Sequence, residues 1–258
     1  MANSLQPKDI TVGVVGLGLM GCSITTCLLM SGHRVIAIAP IPADMTTAIP
    51  RITHHLQRSE EEGLIDETPE DVLRGLTLSE DYGMLAPCSL VLECTLENID
   101  IKRAVYERIE AVIRPDAWLT SNTSAIPISI LQSLTKYPGR FFGLHWMEPS
   151  HTTRFLEIIC GEKSDVPEAE KLYELSHHWS KEPTLVRKDI RGFITNRLMY
   201  AVYREAFFLV ENGYATVEDV DRACRNVPGY WMTLVGPFRW MDLTGVPAYH
   251  TVMKDLFP

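Results

Sequence analysis

The chain has 258 residues, 46% of them hydrophobic, enough to close a sizeable core and leave material for a smaller second domain. Its 33 acidic residues outnumber the 24 basic ones, for a net charge of -9, so neither nucleic acid nor an anionic membrane surface is indicated, and a small molecule fits better as partner. The opening MANSLQPKDI has no basic stretch backed by an apolar one, and no later run is long enough to span a bilayer, so a cytoplasmic protein is expected.

Ile10 to Val15 is a short aliphatic run that reads as a strand. It leads into Gly16-Leu17-Gly18-Leu19-Met20-Gly21, followed from Ser23 to Met30 by helical composition. G-x-G-x-x-G in the order strand, turn, helix suits a dinucleotide: one glycine for the turn, one for close approach of a pyrophosphate, one for helix packing, with phosphate at the helix N-terminus. The second strand, Arg34 to Ala39, ends in Ala39-Pro40-Ile41-Pro42, without the acid that usually binds the adenosine ribose. NAD is the expected cofactor, with NADP left open, and Pro40 and Pro42 stiffen the loop against Asp44 reaching back.

A helix is expected over Ile49 to Gly63, with Pro50 in its first turn and Ser59 to Glu62 as its solvated end. Strands follow at Leu76 to Ser79 and Ser89 to Cys94, the latter running into Thr95, and then a helix over Ile99 to Ile113 with Ile101, Val105, Ile109, Val112 and Ile113 at helical spacing. Strands alternating with helices predict an α/β fold, a parallel sheet of Rossmann type that binds ligand at the carboxyl ends of its strands. Gly16, Thr95, Asn122 and His145 all fall at such ends.

The strand Ala117 to Ser121 delivers Asn122 and Ser124, the run Arg140 to Leu144 delivers His145, and Phe155 to Ile159 holds Glu157 between Leu156 and Ile158. A carboxylate inside an apolar strand is costly unless paired, and an imidazole is the partner that makes a general base of the two. The six cysteines form no C-x-x-C pair and read as buried reduced thiols, so no metal site is expected.

After a strand at Thr184 to Arg187 the pattern becomes helical. Asp189 is a candidate cap for a helix from near Gly192 to Glu211, with Leu198, Val202, Ala206 and Leu209 as its buried stripe and Asn196 in its first turns facing the cleft. Helices at Thr216 to Arg225, capped by Thr216, and Gly236 to Leu243 follow a loop at Gly229 to Val235. The expected organisation is a dinucleotide-binding domain over 1–188 and a short all-helical C-terminal domain over 189–258.

GLGLMG, TLENIDIK, SNTS, GLHW-x-x-P, FLEII and GFITNRL, in this order, resemble the L-3-hydroxyacyl-CoA dehydrogenase superfamily over nearly the whole chain. The resemblance implies a catalytic set of Ser124, His145, Glu157 and Asn196. It also implies cofactor contacts from Gly16, Gly18, Leu19, Met20, Gly21, Thr95, Glu97, Lys102 and Asn122, and a homodimer formed through the helical domain. The resemblance further implies that Glu148, where the family usually has Asn, stands beside the nicotinamide. The GLHW-x-x-P-x-H form, with GEK after the Glu157 strand, is similar to members acting on small hydroxy-carboxylates, for which Arg154 and Arg191 are candidate carboxylate clamps. The resemblance thus implies hydride transfer between a nicotinamide and a hydroxyl-bearing carbon. The alternatives are a short-chain 3-hydroxyacyl-CoA thioester dehydrogenase and a non-catalytic nucleotide-binding or structural protein retaining the fold. Family members continue with further helices and a K-x-G-x-G-F/Y segment beyond the point at which this sequence stops.

Overall fold

The short aliphatic runs pair into one eight-stranded sheet in the computed structural model, which describes residues 6–256. In chain order the elements of its first part are β1 (Thr11–Val15), α1 (Leu19–Met30), β2 (Arg34–Ile38), α2 (Pro42–Glu61), α3 (Pro69–Leu73), β3 (Leu76–Ser79), β4 (Leu90–Glu93) and α4 (Ile99–Glu110). They continue with β5 (Trp118–Ser121), α5 (Ile128–Gln132), β6 (Phe141–Trp146), β7 (Phe155–Cys160), α6 (Val166–Ser176) and β8 (Glu182–Val186). The strand order is β3-β2-β1-β4-β5-β6-β7-β8, parallel from β3 through β6. β7 then runs antiparallel to β6, and β8 parallel to β7. No crossover helix separates β6 from β7, so the chain returns directly alongside and sets His145 opposite Glu157.

Helices cover both faces of the sheet, which is why its strands read as nearly unbroken apolar runs. Val12, Val14, Leu90, Leu92, Phe142 and Leu144 pack with Ile24 and Leu28 of α1, Ile52 and Leu56 of α2, and Leu172 of α6. Val15, Ile38, Val91, Leu119 and Phe141 pack on the other side with Tyr106 and Ile109 of α4 and Ile128 of α5.

Several expectations need correction. α2 starts at Pro42, seven residues before the expected Ile49, because Pro42 occupies a first-turn position where its missing N–H costs nothing. Pro50 therefore lies inside the helix, and Ser59 is buried, its hydroxyl donating to the His55 carbonyl, so only Glu60 to Glu62 form the solvated end. Ile101 of α4 is exposed, unlike Val105 and Ile109. Asp189 does not cap the helix that follows it: its carboxylate accepts from the N–H and hydroxyl of Ser129, in the first turn of α5, at 2.6 and 2.9 Å.

The chain divides into two compact units, the first ending at Thr195 and the second beginning at Asn196. The second contains most of α7 (Thr195–Glu211), then α8 (Val217–Asn226), α9 (Pro228–Met232), α10 (Pro237–Thr244) and α11 (Val246–Leu256). Thr216 caps α8 through the Asp219 N–H, as its position predicts. The segment expected as a loop before Gly236 is the short helix α9, started by Pro228. The α7 stripe is not buried. Leu198 and Val202 are exposed, and Ala206 and Leu209 only partly buried. Among the described residues no helix is long and apolar enough to cross a membrane.

Candidate active site

β1 ends at Val15 and the chain turns through Gly16, whose φ of 95° an L side chain rarely adopts. Gly21 closes the turn: a Cβ there would stand 1.8 Å from the Gly16 carbonyl oxygen, so no larger residue fits between helix and loop. Gly18 is the N-cap of α1, with nothing within 4 Å of an added Cβ, no side-chain cap and no acid in the first turn. The first N–H groups of a twelve-residue helix are thus presented to an open space bordered by backbone, a setting that accepts a pyrophosphate. Gly16, Gly18, Leu19, Met20 and Gly21, expected at the cofactor, make up this turn and the start of α1.

Asp44 differs from expectation. The first turn of α2 carries its carboxylate to the glycine loop, where Oδ2 accepts the Leu17 N–H at 3.2 Å. Pro42 does not stiffen a loop against this contact; it starts the helix that makes it.

The carboxyl ends of β4 and β5 are tied together beneath the surface. Glu93, 0% exposed, accepts the N–H and hydroxyl of Thr95, both at 2.6 Å, the Ser121 hydroxyl at 2.7 Å and the Tyr106 hydroxyl at 3.1 Å. Both its oxygens also receive the Lys102 ammonium, at 2.9 and 2.8 Å. Lys102 is 1% exposed and stands 3.4 Å from Glu97, so it reaches the crevice through that carboxylate. Glu97 in turn accepts the Thr123 hydroxyl and the N–H groups of Ser124 and Ala125, which shapes the turn carrying Ser124. Burial would raise the Glu97 pKa, but Thr123, Lys102 and the Ala125 N–H hold it below the usual carboxylate value. Sequence reasoning passed over Glu93, although a carboxylate ending the apolar run Leu90 to Leu92 is the same signal that singled out Glu157.

At the end of β6 the Asn122 Oδ1 accepts the Trp146 N–H at 2.9 Å, fixing the strand beside His145. His145 Nδ1 lies 2.8 Å from Glu157 Oε2, and Phe155 and Phe193 flank the ring at 5.3 and 5.5 Å between centroids. With Nδ1–H donated to the carboxylate, the neutral ring keeps its lone pair on Nε2. Glu157, 1% exposed, uses its other oxygen to accept the N–H groups of Ile194 and Thr195 at 3.1 and 2.9 Å. Burial alone would raise its pKa, yet the imidazole and these two N–H groups bring it below the ordinary carboxylate value. The carboxylate that faces His145 is therefore also what satisfies the start of α7, the role the sequence had offered to Asp189.

The other expected residues fall around this site or start the second unit. Burial raises the pKa of Glu148, which follows β6, and among the described residues its Oε2 has no hydrogen-bond partner. Arg154, just before β7, bonds Glu182 at 2.5 Å on the surface, and Arg191 is exposed ahead of α7. Asn196 is the second residue of α7. Among the described residues no group of three or more His, Cys, Asp or Glu side chains is placed to hold a metal ion. A hollow of about 1620 Å³ lies toward the amino ends of β5 and β6, lined by Trp118, Arg140, Glu168, Tyr173 and Arg187, and shares no residue with the glycine loop or the His145 pair. Ligands of such sheets bind at the opposite, carboxyl ends.

Comparison with known proteins agrees with this geometry. Residues 11–190 match the family described as 3-hydroxyacyl-CoA dehydrogenase, NAD binding domain, and residues 192–258 match 3-hydroxyacyl-CoA dehydrogenase, C-terminal domain. The chain is 34% identical over 248 residues to 5-formyl-3-hydroxy-2-methylpyridine 4-carboxylate 5-dehydrogenase of Mesorhizobium japonicum, covering 95% of this chain and 79% of that protein. It is 33% identical over 248 residues to 3-hydroxybutyryl-CoA dehydrogenase of Mycobacterium tuberculosis, covering 95% and 86%. A solved structure of a 5-formyl-3-hydroxy-2-methylpyridine 4-carboxylic acid 5-dehydrogenase, described as an NAD+ dependent dismutase, superimposes with a TM-score of 0.85 at 32% identity, covering 95% of this chain and 79% of that one. With an NAD-binding domain over residues 11–190 and a family C-terminal domain after it, the chain belongs to the 3-hydroxyacyl-CoA dehydrogenase family and is an NAD-dependent dehydrogenase.

Proposed function

We propose that the chain oxidises the hydroxyl-bearing carbon of a small hydroxy-carboxylate, or reduces the corresponding carbonyl, with His145 as the general base. The observation that carries this reading is the buried His145–Glu157 pair, which leaves one imidazole nitrogen for the substrate. NAD, when bound, supplies the hydride acceptor. Nε2 of His145 takes the hydroxyl proton, and Glu157 stabilises the imidazolium that results. Ser124, in the turn shaped by Glu97, and Asn196, directly after Thr195, hydrogen-bond the reacting oxygen as charge develops on it. Glu97, Thr95 and Asn122 border the cofactor, Lys102 holds Glu97 from below, and Glu148 lies beside the nicotinamide.

In this division residues 1–188 hold the cofactor, while residues 189–258 supply Asn196 and the contact of a cytoplasmic homodimer. Apolar residues exposed on α7, Leu198, Val202, Phe207 and Phe208, support that contact. The substrate class follows from similarity to the pyridine-carboxylate enzyme, with Arg154 or Arg191 as clamp for its carboxylate. A 3-hydroxyacyl-CoA thioester is the second reading, favoured by the exposed Arg51 and Arg58 of α2, although Arg58 bonds Glu62 at 2.8 Å. NADH absorbance followed across small hydroxy-carboxylates and short 3-hydroxyacyl-CoA thioesters separates the two. Turnover of the first group is expected, and turnover of thioesters alone overturns it.

A further inference from the structure

The ribose of a dinucleotide needs an acceptor between the second strand and the glycine turn, and in this chain the usual position cannot supply one. Ala39 is 2% exposed, has no side-chain acceptor, and donates its N–H to the Ser79 carbonyl at 2.9 Å. Pro40 and Pro42 bring no donor or acceptor beyond their carbonyls. One helical turn later Asp44 stands with its carboxylate against the N–H of Leu17, the residue between the first two glycines of the loop. Its own N–H donates to the Ile41 carbonyl, so the first turn of α2 fixes where the side chain starts.

Asp44 is 8% exposed and, among the described residues, forms no ion pair. A carboxylate so nearly buried with a neutral backbone N–H as its recorded donor has acceptor capacity to spare. Two neighbouring sugar hydroxyls match that capacity, and a phosphate on one of them would meet like charge.

We propose that Asp44 is the ribose-binding and NAD-selecting residue of this protein, the acid having moved from the end of the second strand to the first turn of the following helix. The inference rests on the NAD-dependent dehydrogenase reading. The test is equilibrium titration of tryptophan fluorescence with NADH and with NADPH, on the full chain, its Asp44→Asn and Asp44→Ala variants, and the double variant Asp44→Ala with Ala39→Asp. Thermal melting without nucleotide checks that each is folded.

The parent is expected to prefer NADH by about tenfold or more, the size of one charge-assisted hydrogen bond. Asp44→Asn keeps an oxygen for the Leu17 N–H but loses the charge, so NADH should weaken by about tenfold while NADPH holds or tightens. The double variant should regain the NADH preference that Asp44→Ala loses. Equal weakening of both nucleotides in Asp44→Asn would mean that the residue merely braces the loop, and would overturn the proposal. So would unchanged binding, or a parent that does not distinguish the two. A parent that binds neither nucleotide overturns the dehydrogenase reading itself, an outcome distinct from the others.

Discussion

Two buried carboxylates stand at carboxyl-end crevices of the same sheet and do opposite things. Glu157 meets an imidazole and two backbone N–H groups, and the imidazole keeps a second nitrogen. Glu93 meets an ammonium, three hydroxyls and a backbone N–H, all closed in around it. The sequence signal is the same for both, an acid set against an apolar strand. The partner sets what each can do: an imidazole has a far nitrogen able to take a proton, whereas a sealed ammonium can only hold charge in place.

The largest effect expected from breaking this contrast is on turnover. His145→Ala should reduce activity at least about a hundredfold while NADH affinity stays near the parent value, since the imidazole acts on the substrate side. A variant keeping more than that fraction in a steady-state assay would remove His145 from the general-base role. Glu157→Gln retains a hydrogen bond to Nδ1 but not the charge, and should follow in the same direction; unchanged activity would leave Glu157 with only the task of satisfying α7.

Glu93→Gln tests the other side. It strands the Lys102 ammonium without a charged partner nearer than Glu97, and breaking such a buried pair costs about 3–5 kcal/mol. Denaturant midpoints should fall accordingly. Replacing both members, Glu93→Leu with Lys102→Met, should recover most of the loss, because apolar residues of similar size need no desolvated charge. If the double variant is as unstable as the single one, the network is doing more than balancing charge.

The difference also explains what could be read in advance. The glycine turn, the alternation of strand and helix, and the His145–Glu157 pair depend on local pattern and were legible. Asp189, Asp44 and Glu93 were misjudged or passed over because their partners lie far along the chain: Ser129 for the first, Leu17 for the second, and for the third Lys102 and Ser121. A side chain's appetite for a partner is visible in sequence, but its choice among several waits on the packing. The α7 stripe failed for a related reason. Helical spacing shows which residues share a side, and cannot say whether anything in the same chain covers it.

Imidazoles sharpen the comparison at acid pH. His151 stacks on His55 at 4.7 Å, lies 3.3 Å from the Ser23 hydroxyl, and among the described residues has no carboxylate bonded to it. Burial first, then the His55 and Lys181 charges, lowers its pKa to about 4, against partial relief from Glu62. Its folded pKa is below the unfolded value of about 6.5, so the unfolded chain binds the proton first. Stability should therefore fall as pH drops from about 6.5 toward 4, and His151→Asn should flatten that part of a melting-temperature profile. An equally steep profile in the variant would assign the acid sensitivity elsewhere, with the similarly lowered His33 as the next candidate.

The smallest effect is expected where the Glu93 network has donors in excess. Tyr106 donates to Oε2 at 3.1 Å, but the same oxygen also accepts from Lys102 at 2.8 Å and Ser121 at 2.7 Å. Tyr106→Phe removes one hydrogen bond, keeps the ring packed edge-on against Phe141, and leaves the charge pair intact. A cost of about 1 kcal/mol in a urea titration is expected, with turnover unchanged. At Glu157 no comparable trimming exists, since two of its three donors are backbone N–H groups and the third is the proposed base. A loss of 3 kcal/mol or more in Tyr106→Phe, about the size expected for breaking the ion pair itself, would mean that the hydroxyl is as necessary to Glu93 as the ammonium. The two carboxylates would then differ in partner but not in tolerance, and Glu93 would have to be treated as a site without redundancy.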